Sequence, residues 1–251
     1  STHFRRQEGM KIKHRLFYEL LGDEQYLEQI SAKDLGELAL DPAQGNLSGK
    51  IAFIHMDGNR FGSIRGEYCK EMEDRQEFDR VIQEDSRQAF LRALLELARS
   101  DPQFQVRTSE GKLALRLEVL LWGGDEMTLV VPAWKGLEVM RLFYHHAQAL
   151  QFRGQPLTQR AVVIFCHHNA PILLVNQLAG ALLDRTKTDL HAPIWQGSSP
   201  GLDHARGDAL HYLVLESFDM IQGELDDFLA SYYQGIDYAN LLVHAAELET
   251  L

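Results

Sequence analysis

The sequence predicts an α+β domain with a mostly antiparallel sheet, and three observations carry that prediction. An apolar run at residues 51–56 ends abruptly in an acid, Asp57. Two further apolar runs, LALRLEVLLW and MTLVVPAW, flank GGDE at 123–126 as hairpin strands flank a turn. Segments of helical period separate these strands, giving the order strand, helix, strand, strand, helix, strand, helix, strand. A split βαβ arrangement, the ferredoxin-like βαββαβ core with helices on one face of the sheet, satisfies that order.

From the start of the chain, Ile12, Leu16 and Leu20, then Tyr26, Leu27 and Ile30, recur at helical spacing around a break at Gly22 and Asp23. AKDLGELAL is a third short helical segment, and residues 41–49 form a linker of turn formers. The expected division is a helical segment and linker at 1–48, a main domain at 49–220 and a helical tail at 221–251.

Ile51, Phe53, Ile54 and Met56 form a nearly continuous apolar run, the mark of a central strand covered on its faces. DGNRFGSI then has the small residues of a backbone bending around a ligand, such as a phosphate held by main-chain N–H groups. Residues 66–100 read as one long helix, with Phe78, Val81, Ile82, Phe90, Leu91 and Leu94 on its apolar stripe. Its acids, Glu71, Glu73, Asp74, Glu77, Asp79 and Glu84, form a solvated face. Gly123 and Gly124 suit the positive φ of a two-residue turn, which places Asp125 and Glu126 at a hairpin tip. Residues 134–152 read as a helix, 160–167 as a strand and 171–187 as a helix with Pro171 at its first turn. A long loop at 189–208, a strand at 209–221 and a helical tail complete the chain.

With 45% hydrophobic and 24% charged residues the chain is ordinary for a globular protein, and no apolar run has the length of a membrane span. STHFRRQEG at the start carries no apolar segment of the signal-peptide kind, so a cytoplasmic location is expected. The chain begins at Ser1 without a Met, as a fragment or a processed chain would. Cys69 and Cys166 are too few and too far apart for a metal cluster of their own. A net charge of −11 argues against a broad nucleic-acid surface and leaves room for a small anionic substrate met by local cations or a metal.

The two acidic motifs admit a bland reading, since G-G-D-E and D-G are common turn sequences. Taken jointly, in this order with a helix between, IAFIHMDGNRFGSI, VLLWGGDEMTLVVP and VVIFCHHNAPILLVNQLAGALLDRTK resemble the palm domain shared by GGDEF nucleotide cyclases, class III cyclases and the large polymerase-like subunit of type III CRISPR complexes. The resemblance implies that Asp57, Asp125 and Glu126, with the Gly58 backbone, bind two Mg²⁺ or Mn²⁺ ions. It implies a nucleotide cradle from Gly58, Asn59, Arg60, Phe61, Gly62, Arg65, Gly123, Gly124 and Lys187. The implied activity joins nucleoside triphosphates into a cyclic nucleotide or cyclic oligonucleotide messenger, in CRISPR-like antiviral defence or signalling. A homodimer or a larger complex would be its setting. Arg65 stands where the GGDEF enzymes carry a guanine-reading Asn, so ATP is favoured over GTP. Met127 replaces the motif's Phe, and Glu126 stands where the CRISPR subunit commonly has Asp. These departures keep open the alternative of a palm that senses nucleotide or serves as a subunit without turnover.

The histidines fit the site less well. His145 and His146 are helix neighbours pointing about 100° apart, so both cannot face one site. His167 and His168 point to opposite strand faces, leaving one that could approach a nucleotide, and His55 shares a strand face with Asp57.

Overall fold

The computed structural model describes residues 32–189, 208–216, 227–228 and 242–244, without the side chains of 185–189 and 242–244. In chain order, helix α1 (Leu35–Ala39) precedes strand β1 (Lys50–Gly58), and helices α2 (Phe61–Tyr68), α3 (Met72–Arg80) and α4 (Ala89–Ser100) follow. A short pair, β2 (Gln105–Arg107) and β3 (Leu113–Leu115), leads to the hairpin of β4 (Glu118–Gly123) and β5 (Glu126–Pro132). Helix α5 (Gly136–Ala147), a second short pair β6 (Gln151–Phe152) and β7 (Gln155–Pro156), strand β8 (Gln159–His167), helix α6 (Ile172–Asp189), and strands β9 (Ala209–Val214) and β10 (Leu242–His244) complete the described chain.

Four strands make the core, in the order β8-β1-β5-β4, with every neighbouring pair antiparallel. With α4 and α5 as the connecting helices this is the βαββαβ arrangement read from the sequence. Beyond β8 the sheet continues with β9, parallel to β8, and then β10, antiparallel to β9. The parallel step needs a crossover, and α6 supplies it.

β1 is central because its apolar run needs cover on both sides. Ala52, Ile54 and Met56 join Leu91, Leu94, Met140 and Phe143 of α4 and α5 in one core. Ile51 and Phe53 join Val162 and Ile164 of β8 and Val175, Leu178 and Leu182 of α6 in a second core. The helices therefore lie on one face only for the two connections of the βαββαβ core. The opposite face, equally apolar along β1 and β8, is covered by α6 and α1.

The single long helix expected over 66–100 is interrupted twice. Around Glu71 a capping box forms, in which Asp74 Oδ2 accepts from the backbone N–H groups of Lys70 (2.9 Å) and Glu71 (3.0 Å). Those bonds give the chain a satisfied new helix start. Val81–Gln88 then runs as π-helix, whose wider turn takes in an extra residue and re-aims the side chains after it. Glu71, Glu73, Glu77, Asp79 and Glu84 are exposed, as a solvated face should be, whereas Asp74 is half-buried by its capping bonds and its ion pair with Arg153. The tail expected to be helical contains a strand, Leu242–His244, because the free edge of β9 offers it backbone partners. The N-terminal helices at 10–30 and the loop at 190–207 lie outside the described residues. No described helix is long and apolar enough to cross a membrane.

Candidate functional site

The β4–β5 turn consists of Gly124 and Asp125, closed by the pairing of Gly123 with Glu126. Gly124 alone among the turn residues has positive φ (50°), at the first central position where a II′ turn places glycine. Asp125 is thus a turn residue and Glu126 the first residue of β5. The turn is held against the end of β1: Gly58 N–H donates to the Asp125 carbonyl at 3.1 Å. From behind, Gln83 Nε2 donates to the Gly124 carbonyl at 3.0 Å, and Arg87 donates to the Asp125 carbonyl. Both clamping residues come from the π-helical stretch. Asp57 and Asp125, sixty-eight positions apart, are brought side by side in this way.

After Asp57 the chain turns sharply. Asn59 is buried, with its N–H on the Thr158 carbonyl (2.8 Å) and its Nδ2 on Thr158 Oγ1 (3.1 Å). Arg60 takes left-handed φ/ψ (61°, 22°), uncommon for a residue with a Cβ and frequent at functional sites. Helix α2 starts at Phe61 with no side-chain cap, so the N–H groups of its first turn and the positive end of its dipole are open to an anion. Gly58, Asn59, Arg60, Phe61, Gly62, Ser63, Asp125 and Arg160 line a cavity of about 320 Å³.

Two buried arginines set the electrostatics. Arg87 is held between the acids and the core, and burial pulls its guanidinium down to about 10 while Asp125 and Asp57 pull it up. Its Nη2 also approaches Gln159 Oε1 at 3.3 Å. Arg160 sits opposite Asp57 in the β1–β8 register, 2% exposed, its pKa lowered by burial against the opposing pull of Asp57. Behind them Asp208 accepts from Gln159 N–H at 2.5 Å, and burial pushes its carboxyl up to about 6.

No protein-family model matches this chain, and no curated protein matches it. Solved structures do. The active GGEEF domain of a diguanylate cyclase from Vibrio cholerae aligns over 59% of this chain and 83% of its own, at 15% identity and TM-score 0.37. The diguanylate cyclase SiaD of Pseudomonas aeruginosa, solved with its activator SiaC, aligns over 75% of this chain and 70% of its own, at 16% identity and TM-score 0.40.

The structure gathers Gly58, Asn59, Arg60, Phe61, Gly62 and Asp125 at one cavity, with Asp57 at the adjoining strand end. Gly123 and Gly124 build the turn without lining the cavity. Arg65 lies away from it, with Nη2 3.4 Å from Asp79 Oδ2 in an exposed ion pair. Glu126 is exposed and directed to His55, whose Nε2 is 3.4 Å from Glu126 Oε1 and whose Nδ1 meets Thr128 Oγ1 at 2.9 Å. Lys187 is in the last turns of α6, and because α6 returns from the end of β8 to the start of β9, its backbone comes back toward the cavity end of the sheet. The Lys187 side chain is outside the described part. His167 and His168 are at the opposite end from Asp57, since His167 pairs with Lys50 at the start of β1; neither can approach the cavity.

The residues missed by sequence reasoning are Arg87 and Arg160. Both carried a signal. Arg87 falls on the apolar stripe of its helix with Phe90, Leu91 and Leu94, and Arg160 opens an otherwise apolar strand. A charge at an inward position needs a reason.

Among the described residues no group of three or more His, Cys, Asp and Glu side chains is arranged to hold a metal. Mg²⁺ needs less, because one or two carboxylates suffice when waters and substrate phosphates complete the shell. Asp57 and Asp125, on segments joined by the Gly58–Asp125 hydrogen bond, fit such an ion in donor chemistry. Glu126 is already engaged by His55.

Proposed function

We propose that this chain is a nucleotidyltransferase that joins nucleoside triphosphates, ATP foremost, into a cyclic nucleotide or cyclic oligonucleotide. The observation supporting it is the meeting of Asp57 and Asp125 beside a cavity whose floor is an uncapped helix start. Joining nucleotides forms a bond from a 3′-oxygen to an α-phosphorus, breaks the α–β phosphoanhydride and releases pyrophosphate. The first turn of α2 receives phosphate oxygens through backbone N–H groups, and Arg60 at the exposed lip offsets their charge. Gly58 and Phe61 form the wall nearest Asp57. Asp57 and Asp125 would hold Mg²⁺ or Mn²⁺, which when bound polarises phosphoryl oxygens and makes a hydroxyl more acidic.

A second reading, a nucleotide sensor without turnover, draws support from the Glu126–His55 pair and from two guanidinium groups that already counter the acids. Incubation with triphosphates and Mn²⁺ separates the two. The enzyme consumes triphosphate, and Asp57→Ala and Asp125→Ala each abolish consumption. Activity retained in both variants refutes the site. Nucleotide-dependent stabilisation with no product supports the sensor.

A further inference from the structure

Buried arginines among the described residues are of two kinds. Arg116 has a partner at every nitrogen: its Nε donates to Gln105 O (3.1 Å), its Nη1 to Glu37 O (3.0 Å) and Leu38 O (2.6 Å), and its Nη2 to Leu40 O (3.1 Å). That is how a structural guanidinium is normally buried. Arg160 is equally buried and lines the cavity, yet its Nε and Nη1 meet no hydrogen-bond partner among the described residues. Both orphans are donors. The group that completes them is an acceptor, and at a cation lining a cavity it is an anion with several oxygens.

We propose that Arg160 is a phosphate-binding residue, holding the oxygens of a polyphosphate chain that also rests on the first turn of α2, so that the cavity binds this chain without a divalent cation. The two features are independent and converge on one space: the uncapped helix start offers backbone N–H groups, and the guanidinium opposite Asp57 offers a planar fork matched to phosphate. Asp57 faces Arg160 across the strand pair and Asp125 lines the same cavity, so both acids stand next to the bound anion. The fixed charge of Arg160 is what allows a polyanion to enter beside two carboxylates. The inference deepens the nucleotide reading above by naming the residue that takes the phosphates, and it stands or falls separately from catalysis.

The test is calorimetric titration of the full chain in EDTA with inorganic triphosphate, ATP and GTP, for the wild type, Arg160→Met, Arg160→Lys and Asp57→Asn. The wild type binds all three without metal. Arg160→Met weakens binding at least tenfold, Arg160→Lys weakens it less because the charge stays but the fork is lost, and Asp57→Asn binds no more weakly than the wild type. Similar affinities for inorganic triphosphate and the nucleotides assign recognition to the phosphates, whereas tighter nucleotide binding adds a base contact; Arg160 dependence is required in either case. Wild-type affinity in whichever Arg160 variant melts as a folded protein overturns the proposal, as does a wild type that binds only with Mg²⁺. Metal-free binding that depends on Arg160, without product under any metal condition, refutes the transferase and leaves this inference standing.

Discussion

Gly58 is the position where the geometry allows the fewest alternatives. A Cβ placed there would lie 2.3 Å from Phe61 Cδ2, 2.5 Å from Cε2 and 2.6 Å from Cγ. Carbon atoms in contact prefer about 3.5–4.0 Å, so in Gly58→Ala the ring must withdraw by more than about 1 Å. It has little room. Phe61 is buried, edge-on to Phe78 at 6.0 Å, and Phe78 is edge-on to Phe152 at 5.1 Å, within a small core that also holds Val81, Ile82 and Leu157. Overpacking of this sort costs about 1–3 kcal/mol, and the backing of two further rings places Gly58→Ala at the upper end. Because Phe61 opens α2, the same displacement moves the cavity wall. A shift of about 1 Å there should lower any turnover by about a hundredfold. Urea unfolding of Gly58→Ala, Phe61→Leu and the double variant provides the check. The smaller ring-free side chain should relieve the clash, giving a favourable coupling of about 1 kcal/mol or more. A Gly58→Ala variant within about 0.5 kcal/mol of the wild type, or strictly additive variants, would refute the reasoning.

Other consequences are equally open to measurement. Arg116→Met strips four carbonyls of their donor and should cost about 3 kcal/mol in chemical denaturation, whereas a near-neutral result would show that α1 is not anchored this way. Burial pushes Asp208 up to about 6, above the ordinary value near about 3.9, so the folded state holds this proton more tightly than the unfolded chain. Its contribution to stability is complete below about pH 4 and is lost as pH rises through about 6. Asp208→Asn, which retains an acceptor for Gln159 N–H, should flatten that part of the stability–pH curve; identical curves would contradict the assignment. Cys166 is buried and its thiol is pushed up to about 12, and burial raises that of Cys69 as well. Neither should react with a thiol reagent until the protein unfolds, and rapid labelling of the native protein would count against both.

The core of the fold was legible because its signals are local and strong. An apolar run of strand length around Phe53, a glycine turn between two apolar runs and a proline at a helix start each have one comfortable structural answer. Helix ends and short strands were less legible, because competing bonds decide them. The capping box at Glu71 and the π-helical turn of Val81–Gln88 interrupt a sequence whose apolar spacing supports an unbroken helix. That Asp57 and Asp125 lie together and that Arg60 lines the cavity beside them was legible from the two motifs, but the buried Arg87 and Arg160 were not. Strand alternation places His167 without saying which end of the sheet it occupies, and the antiparallel pairing of β1 with β8 puts it at the far end. That pairing brings Arg160 to Asp57 instead. Arg65, chosen by its offset from Asp57, is drawn to Asp79 because α2 turns its side chain outward.

The central claim is that Asp57 and Asp125 serve one nucleotide-joining site, and mass spectrometry of products tests it most directly. Purified protein is incubated with all four nucleoside triphosphates and Mn²⁺ beside Asp57→Ala and Asp125→Ala controls shown to be folded. The account predicts a new phosphodiester-linked mass, ATP-derived, in the wild type and in neither control. Folded wild-type protein that binds triphosphate and yields no new mass, or a product that persists in both controls, would contradict it.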